Sequence, residues 1–295
     1  MPTRIVTAVC TMRPPVATRD SVAALARQIP ADRLVIVTSA LGDREVGEYR
    51  SASDATVLVE PRPGLSRARN RALAWAVDRH ADVLAFVDDD AIALDGWGLA
   101  LERAWNAAPA DAACIGGPIR PQFAVDPPRW FSDGIAHTLT LLDRGPAARD
   151  LDPDAEAVYG ANISFRVDPL RRIGGFDAAL GHSGRRVFFG EEDEAQRALV
   201  RLGYRVRYVP DAAVLHVIAS ERLTRSSFLR RRFAFGAALG LRGGRGRPQA
   251  LRQAAVSGTG ALVAAASGQP ALAMERAVRA AENAGVIMSR LAARG

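Results

Sequence analysis

The sequence predicts an α/β protein whose sheet is mostly parallel, and three observations carry that prediction. Short β-branched runs alternate with segments of helical spacing through the first half. One apolar run, Val83–Val87, leads directly into three aspartates, as strand ends at a ligand crevice do. After residue 221 only helix signals remain, so a helical extension follows the sheet region.

The elements follow in order. Arg4–Cys10 is β-branched and reads as a buried strand, and Asp20–Ile29 places Val22, Leu25 and Ile29 at helical spacing. Leu34–Val37 and Ala55–Val59 read as the second and third strands. Ser66–Arg79 predicts a helix with Leu73, Ala76 and Val77 on one face and Ser66 as its cap. Val83–Val87 is the fourth strand, Leu99–Ala107 a helix, and Ala113–Gly117 strand-like. Pro118–Asp154 carries Pro127-Pro128, Trp130-Phe131 and Gly145-Pro146, which predicts long loops with room for one short helix. Strand character returns at Ala157–Val167, and Asp168-Pro169 opens a short helix closed by Gly174-Gly175. Glu191–Leu202 reads as a helix with carboxylates in its first turn and Gly203 as its stop. Arg205–Val217 is the last strand-like stretch. Ser226–Leu239, Gln249–Ala266 and Ala271–Leu291 complete the chain as helices. The expected domains are residues 1–220 and 221–295.

At 295 residues, 48% apolar and 24% charged, the chain is globular and can bury a sizeable core. A net charge of +7 suggests nucleic acid, but the charge is split. Residues 1–220 hold 26 Arg against 29 acidic side chains, and residues 221–295 hold 13 Arg against 3 Glu. No lysine occurs. Two cysteines, Cys10 and Cys114, in apolar stretches predict buried thiols rather than a disulfide framework. No cationic and apolar leader opens the chain, so a cytoplasmic location is expected. Gln253–Met274 lacks formal charge but is rich in Ala, Gly and Ser and contains Pro270, which argues against a spanning helix.

Several clusters carry chemistry. Asp88, Asp89 and Asp90 repel one another, and a cation such as Mg²⁺ or Mn²⁺ would relieve that repulsion; an acidic turn that caps a helix is the competing reading. Glu191, Glu192, Asp193 and Glu194 open a helix, where a carboxylate serves either as a general base or as dipole chemistry. His216 ends a strand, as a core side chain or a ligand. Gly64-Leu65-Ser66-Arg67-Ala68-Arg69-Asn70 enters a helix whose amides and arginines suit an anion. The Walker loop and the G-x-G-x-x-G fingerprint are both absent, which disfavours P-loop NTPases and simple dinucleotide dehydrogenases.

In order, these motifs resemble the inverting family 2 glycosyltransferases of GT-A fold. The series runs from that glycine-rich entry to Asp-Asp-Asp and Gly116-Gly117-Pro118. It continues through Gly160-Ala161-Asn162-Ile163-Ser164-Phe165-Arg166, Gly174-Gly175-Phe176-Asp177, the Gly190-Glu191-Glu192-Asp193-Glu194 helix start, and Pro210-Asp211 to His216. The likeness covers about residues 4–217. It implies a Rossmann-like, mixed, mostly parallel sheet flanked by helices. It also implies a metal-dependent transfer of sugar from a nucleoside-diphosphate sugar to an acceptor hydroxyl by in-line displacement. The resemblance places Asp88 at the ribose and Asp90 at the metal, with Asp89 in support. Asp88 and His216 complete the metal set. Arg69 and Asn70 would contact the nucleotide, and Thr11, Arg13 and Pro14 would cradle the base. Gly160 and Asn162 would line the donor-sugar pocket.

The general-base pair falls on Glu191 and Glu192, with Glu192 as the base and Asp193 as the fallback. Where family members often end the second strand in aspartate, this chain has Val37-Thr38-Ser39, with Asp43 four residues on. A UDP-, dTDP- or GDP-sugar therefore stays open, as does the acceptor: glycan, lipid-linked sugar or small metabolite. His182–Arg186 would be a lid over the diphosphate or a solvated basic loop. A sugar-phosphate nucleotidylyltransferase is the competing enzyme class, but it leaves the Glu-Glu-Asp helix unexplained. A basic nucleic-acid-binding protein has only the tail in its favour, and no nucleic-acid partner is expected. Residues 222–252, with nine Arg and no acid, leave three readings open: peripheral contact with a membrane, an anionic acceptor, and packing on the catalytic domain. A homodimer is also open.

Overall fold

The computed structural model describes residues 3–180, 182–183, 186–187, 190–241 and 247–292. These residues divide into two units. The first draws on Met1–Pro121, Leu142–Arg186 and Gly190–Val217; the second draws on Gln122–Leu141, Val187–Phe189 and Ile218–Gly295.

The first unit is built on β1 (Ile5–Thr11), α1 (Pro15–Ala26), β2 (Leu34–Ser39), α2 (Asp43–Ala52), β3 (Thr56–Glu60), α3 (Leu65–Asp78) and β4 (Val83–Val87). It continues through β5 (Ala91–Ala93), α4 (Trp97–Ala107), β6 (Ala112–Gly116), β7 (Ile119–Phe123), β8 (Arg149–Leu151), β9 (Asn162–Arg166) and α5 (Val167–Arg172). The short pair β10 (His182–Ser183) and β11 (Arg186–Val187) precedes α6 (Glu191–Arg201), β12 (Arg205–Tyr208) and β13 (Val214–Ile218). The eight-stranded sheet has the order β3-β2-β1-β4-β9-β6-β12-β8. Pairs β1–β2, β1–β4, β2–β3 and β6–β12 are parallel, whereas β9 runs antiparallel to both β4 and β6, and β8 antiparallel to β12.

The central strands β2 and β4 are buried along their whole length, which is why both read as continuous apolar runs rather than alternating ones. From α4 onto the sheet, Trp97 Nε1 donates to Asn162 Oδ1 at 3.0 Å, and Trp105 Nε1 donates to Ser164 Oγ at 2.9 Å, both on β9. Each indole thus buries its apolar body without leaving an unmet donor.

Several boundaries differ from the sequence expectation. Ser66 is not the cap of α3. Gly64 holds that position at φ 147°, and Ser66 lies inside the helix with its hydroxyl donating to Leu180 O at 2.7 Å. The positive φ selects glycine, as it does at Gly190 (φ 95°), which opens α6. Helix α2 went unread because only Val46 and Tyr49 along it are buried. The stretch Arg205–Val217 is two strands in two sheets, because β13 leaves for a small sheet of order β5-β13-β7. Cys114 is buried and Cys10 partly exposed, both free.

The second unit is dominated by α7 (Arg225–Leu241), α8 (Arg247–Ala266) and α9 (Pro270–Ala292), with a 3-10 turn at Asp133–Leu139. Helices α7 and α9 approach through glycine. A Cβ at Gly236 would overlap the Glu282 backbone, and one at Gly285 would overlap the Phe233 carbonyl. Trp130 and Phe131 meet Phe228 edge to face, with centroids 5.1 and 6.1 Å apart. Of the arginines read as a basic face, Arg232 pairs with Glu282 and Arg231 donates to Thr138 O at 3.2 Å. Part of that positive charge is therefore satisfied inside the unit.

Candidate active site

The aspartate run sits where β4 ends. β5 follows at once and pairs antiparallel with β13, so His216 falls opposite Ala91 and beside Asp90. His216 Nε2 lies 3.1 Å from Asp90 Oδ1. Arg13, just past β1, donates from Nη2 to Asp90 Oδ2 at 3.0 Å and lies 3.7 Å from Asp89 Oδ1. Thr11 Oγ1 donates to Asp89 Oδ2 at 2.5 Å. The ends of β1 and β4 thus gather Thr11, Arg13, Asp89 and Asp90 beside His216, which lies in the middle of β13 rather than at a strand end as the sequence suggested. Pro14 is exposed at the N-cap of α1.

Asp88 faces a second cluster centred on Arg69. The Arg69 side chain is 2% exposed and lies over the Phe86 and Phe176 rings, 5.5 and 5.6 Å from their centroids. Its Nη1 donates to Glu191 Oε1 at 2.8 Å and lies 3.7 Å from Glu192 Oε2, and its Nη2 lies 3.7 Å from Asp88 Oδ1. The guanidinium fork suits this task, since a lysine offers a point charge and no planar array of donors. Gly160 is required here: a Cβ would overlap Arg69 Nη2. The Gly160 amide donates to Glu192 Oε1 at 3.3 Å.

The two glutamates differ in access. Glu191 is 3% exposed, and Glu192 is 18% exposed. Burial, then the Glu192 charge, pushes the Glu191 carboxyl up to about 8, against the pull of Arg69. Burial at the strand end, with Asp90 and Asp89 adding to it, pushes Asp88 up to about 6, again against Arg69. Burial raises Asp89 as well. Asp193 lies half-buried on the same first turn of α6.

Other expected site residues also tie distant segments together. Asn70 Nδ2 donates to Phe176 O at 2.7 Å and its Oδ1 accepts from Phe176 N at 2.8 Å, which ties α3 to the Gly-Gly-Phe segment. Asn162 donates to Pro118 O and Ala212 O and accepts from Trp97. Sequence reasoning missed Phe86 and Phe176 as the walls around Arg69, although Gly174-Gly175-Phe176 had been quoted as a motif. It also missed Gln196, which clamps the Val158 backbone through bonds of 3.0 and 2.9 Å. Asp43, considered for base contact, opens α2. The expected lid His182–Arg186 lies, by its side chains, outside the described residues.

Among the described residues, no three His, Cys, Asp or Glu side chains form a group disposed to hold a metal ion. Asp90 and His216 nevertheless supply one carboxylate and one imidazole in contact. That donor pair would suit a divalent ion of the Mg²⁺ or Mn²⁺ kind.

Comparison with known proteins decides the family. The profile of glycosyl transferase family 2 matches residues 9–174. The chain belongs to that family. It is 29% identical over 159 residues to the glucosyl-dolichyl phosphate glucuronosyltransferase of Haloferax volcanii; the match covers 52% of this chain and 50% of that protein. The chain thus spans about half the length of that curated relative. Two solved structures share the fold. One is the mannosyltransferase PcManGT from Pyrobaculum calidifontis in complex with GDP-Man and Mn²⁺. It has a TM-score of 0.56 at 20% identity, over 100% of this chain and 76% of that one. The other is GalNAc-T7 with UDP, GalNAc and Mn²⁺. It has a TM-score of 0.57 at 14% identity, over 80% of this chain and 47% of that one. This family 2 member carries a glycosyltransferase family 2 domain and has a GT-A fold.

Proposed function

We propose that the protein transfers a sugar from a nucleoside-diphosphate sugar to an acceptor hydroxyl with inversion, and that Glu192 is the general base. One observation supports this most: a single buried guanidinium joins the aspartate run to the α6 carboxylates and leaves Glu192, alone of the pair, accessible. Glu192 takes the acceptor proton as the new bond forms at the anomeric carbon, and the nucleoside diphosphate departs from the opposite face. Glu191 keeps Arg69 in place, and Arg69 acts as a positioning residue. This role differs from the nucleotide contact that the resemblance implied.

Asp90 and His216, with Asp88, would hold Mg²⁺ or Mn²⁺, which supplies charge neutralisation for the departing diphosphate. The two solved structures of similar fold, one in complex with GDP-Man and Mn²⁺ and one with UDP, GalNAc and Mn²⁺, support this reading. Thr11 and Arg13 brace Asp89 and Asp90. The nine arginines of residues 222–252, with no acid among them, favour an anionic partner.

The test is release of nucleoside diphosphate from a panel of UDP-, dTDP- and GDP-sugars, with and without Mn²⁺. Hydrolysis of one donor that is abolished by chelator and restored by metal is expected. Turnover insensitive to chelator would remove the metal, and wild-type turnover in Glu192→Gln would remove the base.

A further inference from the structure

Helix α8 is arranged inside out. Its inner side, against α9, carries small residues: Ala250 and Ala264 are buried, and Gly260 is close enough that Arg276 Nη1 donates to its carbonyl at 2.8 Å. Its large aliphatic side chains point the other way. Leu251 is 49% exposed, Val256 67%, Leu262 74% and Val263 58%. At helical spacing these four share one arc with Ala255, Thr259 and Ala266, and Arg252 is the one charge on it. A helix that needed only to pack on its neighbour in water would bury the leucines and expose the small residues. Exposed apolar patches of this kind mark interaction sites.

Charge selects the occupant. From Arg222 to Met274 the chain contains no acidic residue, and residues 221–295 hold 13 Arg against 3 Glu. Two copies meeting through this face would bring like charges together, with no carboxylate between Arg222 and Met274 to answer Arg252. Anionic lipid headgroups offer both an apolar layer for the aliphatic arc and phosphate for the arginines. The long Arg252 side chain can reach outward to that phosphate while its stem lies along the apolar arc. None of the described helices is long and apolar enough to cross a membrane, so α8 would lie along the surface.

We propose that the outer face of α8 is a docking surface for an anionic membrane interface. The inference is independent of the reading of the active site, and its readout needs no catalysis.

The experiment is flotation of the full chain with phosphatidylcholine vesicles and with vesicles containing about one-third phosphatidylglycerol. The wild type floats with the anionic vesicles at low salt and stays behind with the neutral ones. The double substitution Val256→Asp, Leu262→Asp weakens flotation by about tenfold or more. Leu202→Asp, on a leucine of the first unit that is 56% exposed, leaves it unchanged. All three proteins keep the same circular dichroism spectrum and nucleotide-sugar hydrolysis without lipid. Amide exchange in the wild type slows across residues 251–266 on addition of anionic vesicles, a second measurement free of any variant.

Equal flotation of the wild type and the double variant overturns the proposal, as does equal binding to neutral vesicles or absence of protection in α8. A lipid-free dimer in sedimentation velocity that the double variant dissolves also overturns it, in favour of a second copy.

Discussion

Each unit buries one arginine against aromatic rings and carboxylate, and the two surroundings have opposite sign. In the first unit Arg69 lies between Phe86 and Phe176 and faces Asp88, Glu191 and Glu192. Negative charge is in excess there, and burial with that excess pushes Glu191 up to about 8. In the second unit Arg232 lies over Phe235, 4.4 Å from its centroid, and pairs with Glu282. Positive charge is in excess there: burial, then the Arg232 charge, pushes His137 down to about 4. The same physics prepares a carboxylate-rich crevice in one place and a cation-rich helical surface in the other. The net charge of +7 is the sum of these two unlike parts.

The sharpest way to break this comparison is Glu192→Gln. It should lower turnover by about 10²–10⁴-fold with little change in donor KM, read by steady-state release of nucleoside diphosphate. Arg232→Met in the second unit should leave turnover per folded molecule near that of the wild type. The next largest effect is on stability. Arg69→Met leaves Asp88, Glu191 and Glu192 without the one cation they share and should cost about 3–5 kcal/mol in urea unfolding.

Glycine tests the second unit alone. Gly236→Ala forces a methyl into the Glu282 backbone and should cost about 1–3 kcal/mol. Gly258→Ala on α8 meets open space and should gain about 0.5–1 kcal/mol from helix propensity. Equal effects at the two sites would mean that α7 and α9 do not approach as closely as described.

The smallest effects are in pH. The Glu191 carboxyl is raised from 4.5 to about 8, so the folded state holds a proton that the unfolded state releases. Stability from Glu191 is present below pH 4.5 and is lost as pH rises toward 8, relative to Glu191→Gln. His137 is lowered from 6.5 to about 4, so its contribution is present above pH 6.5 and is lost as pH falls toward 4, relative to His137→Gln. Thermal midpoints of wild type and variants across pH 4 to 8 should show these two slopes with opposite sign. Parallel slopes would show that the two buried clusters do not differ in charge excess.

Much of this is legible in the sequence. The run Val83–Val87 is apolar because β4 is buried along its whole length, so the strand and the aspartates at its end could be read directly. Gly190 before four acidic residues marked the start of α6, and the nine arginines of residues 222–252 marked a separate basic region. Where side chains satisfy partners remote in sequence, local pattern carried no signal. Ser66 looked like a cap because its hydroxyl has no local rival, yet it bonds Leu180. Asn70 and Asn162, expected at the nucleotide and at the donor sugar, also close backbone crossings between segments tens of residues apart, which no local pattern announces. Helix α2 and strand β5 were too short or too exposed to show an apolar period.

By itself, then, the sequence determined the order of strands and helices, the division of charge, and the residue types able to bind a cation or take a proton. Those follow from local spacing and from charge count, which act over a few residues. The tertiary structure decided which of the α6 carboxylates is buried and which is accessible. It turned Arg69 inward to hold them, and it turned the leucines of α8 outward. Those outcomes depend on which face of a helix meets a neighbour, and only the packing of distant segments sets that.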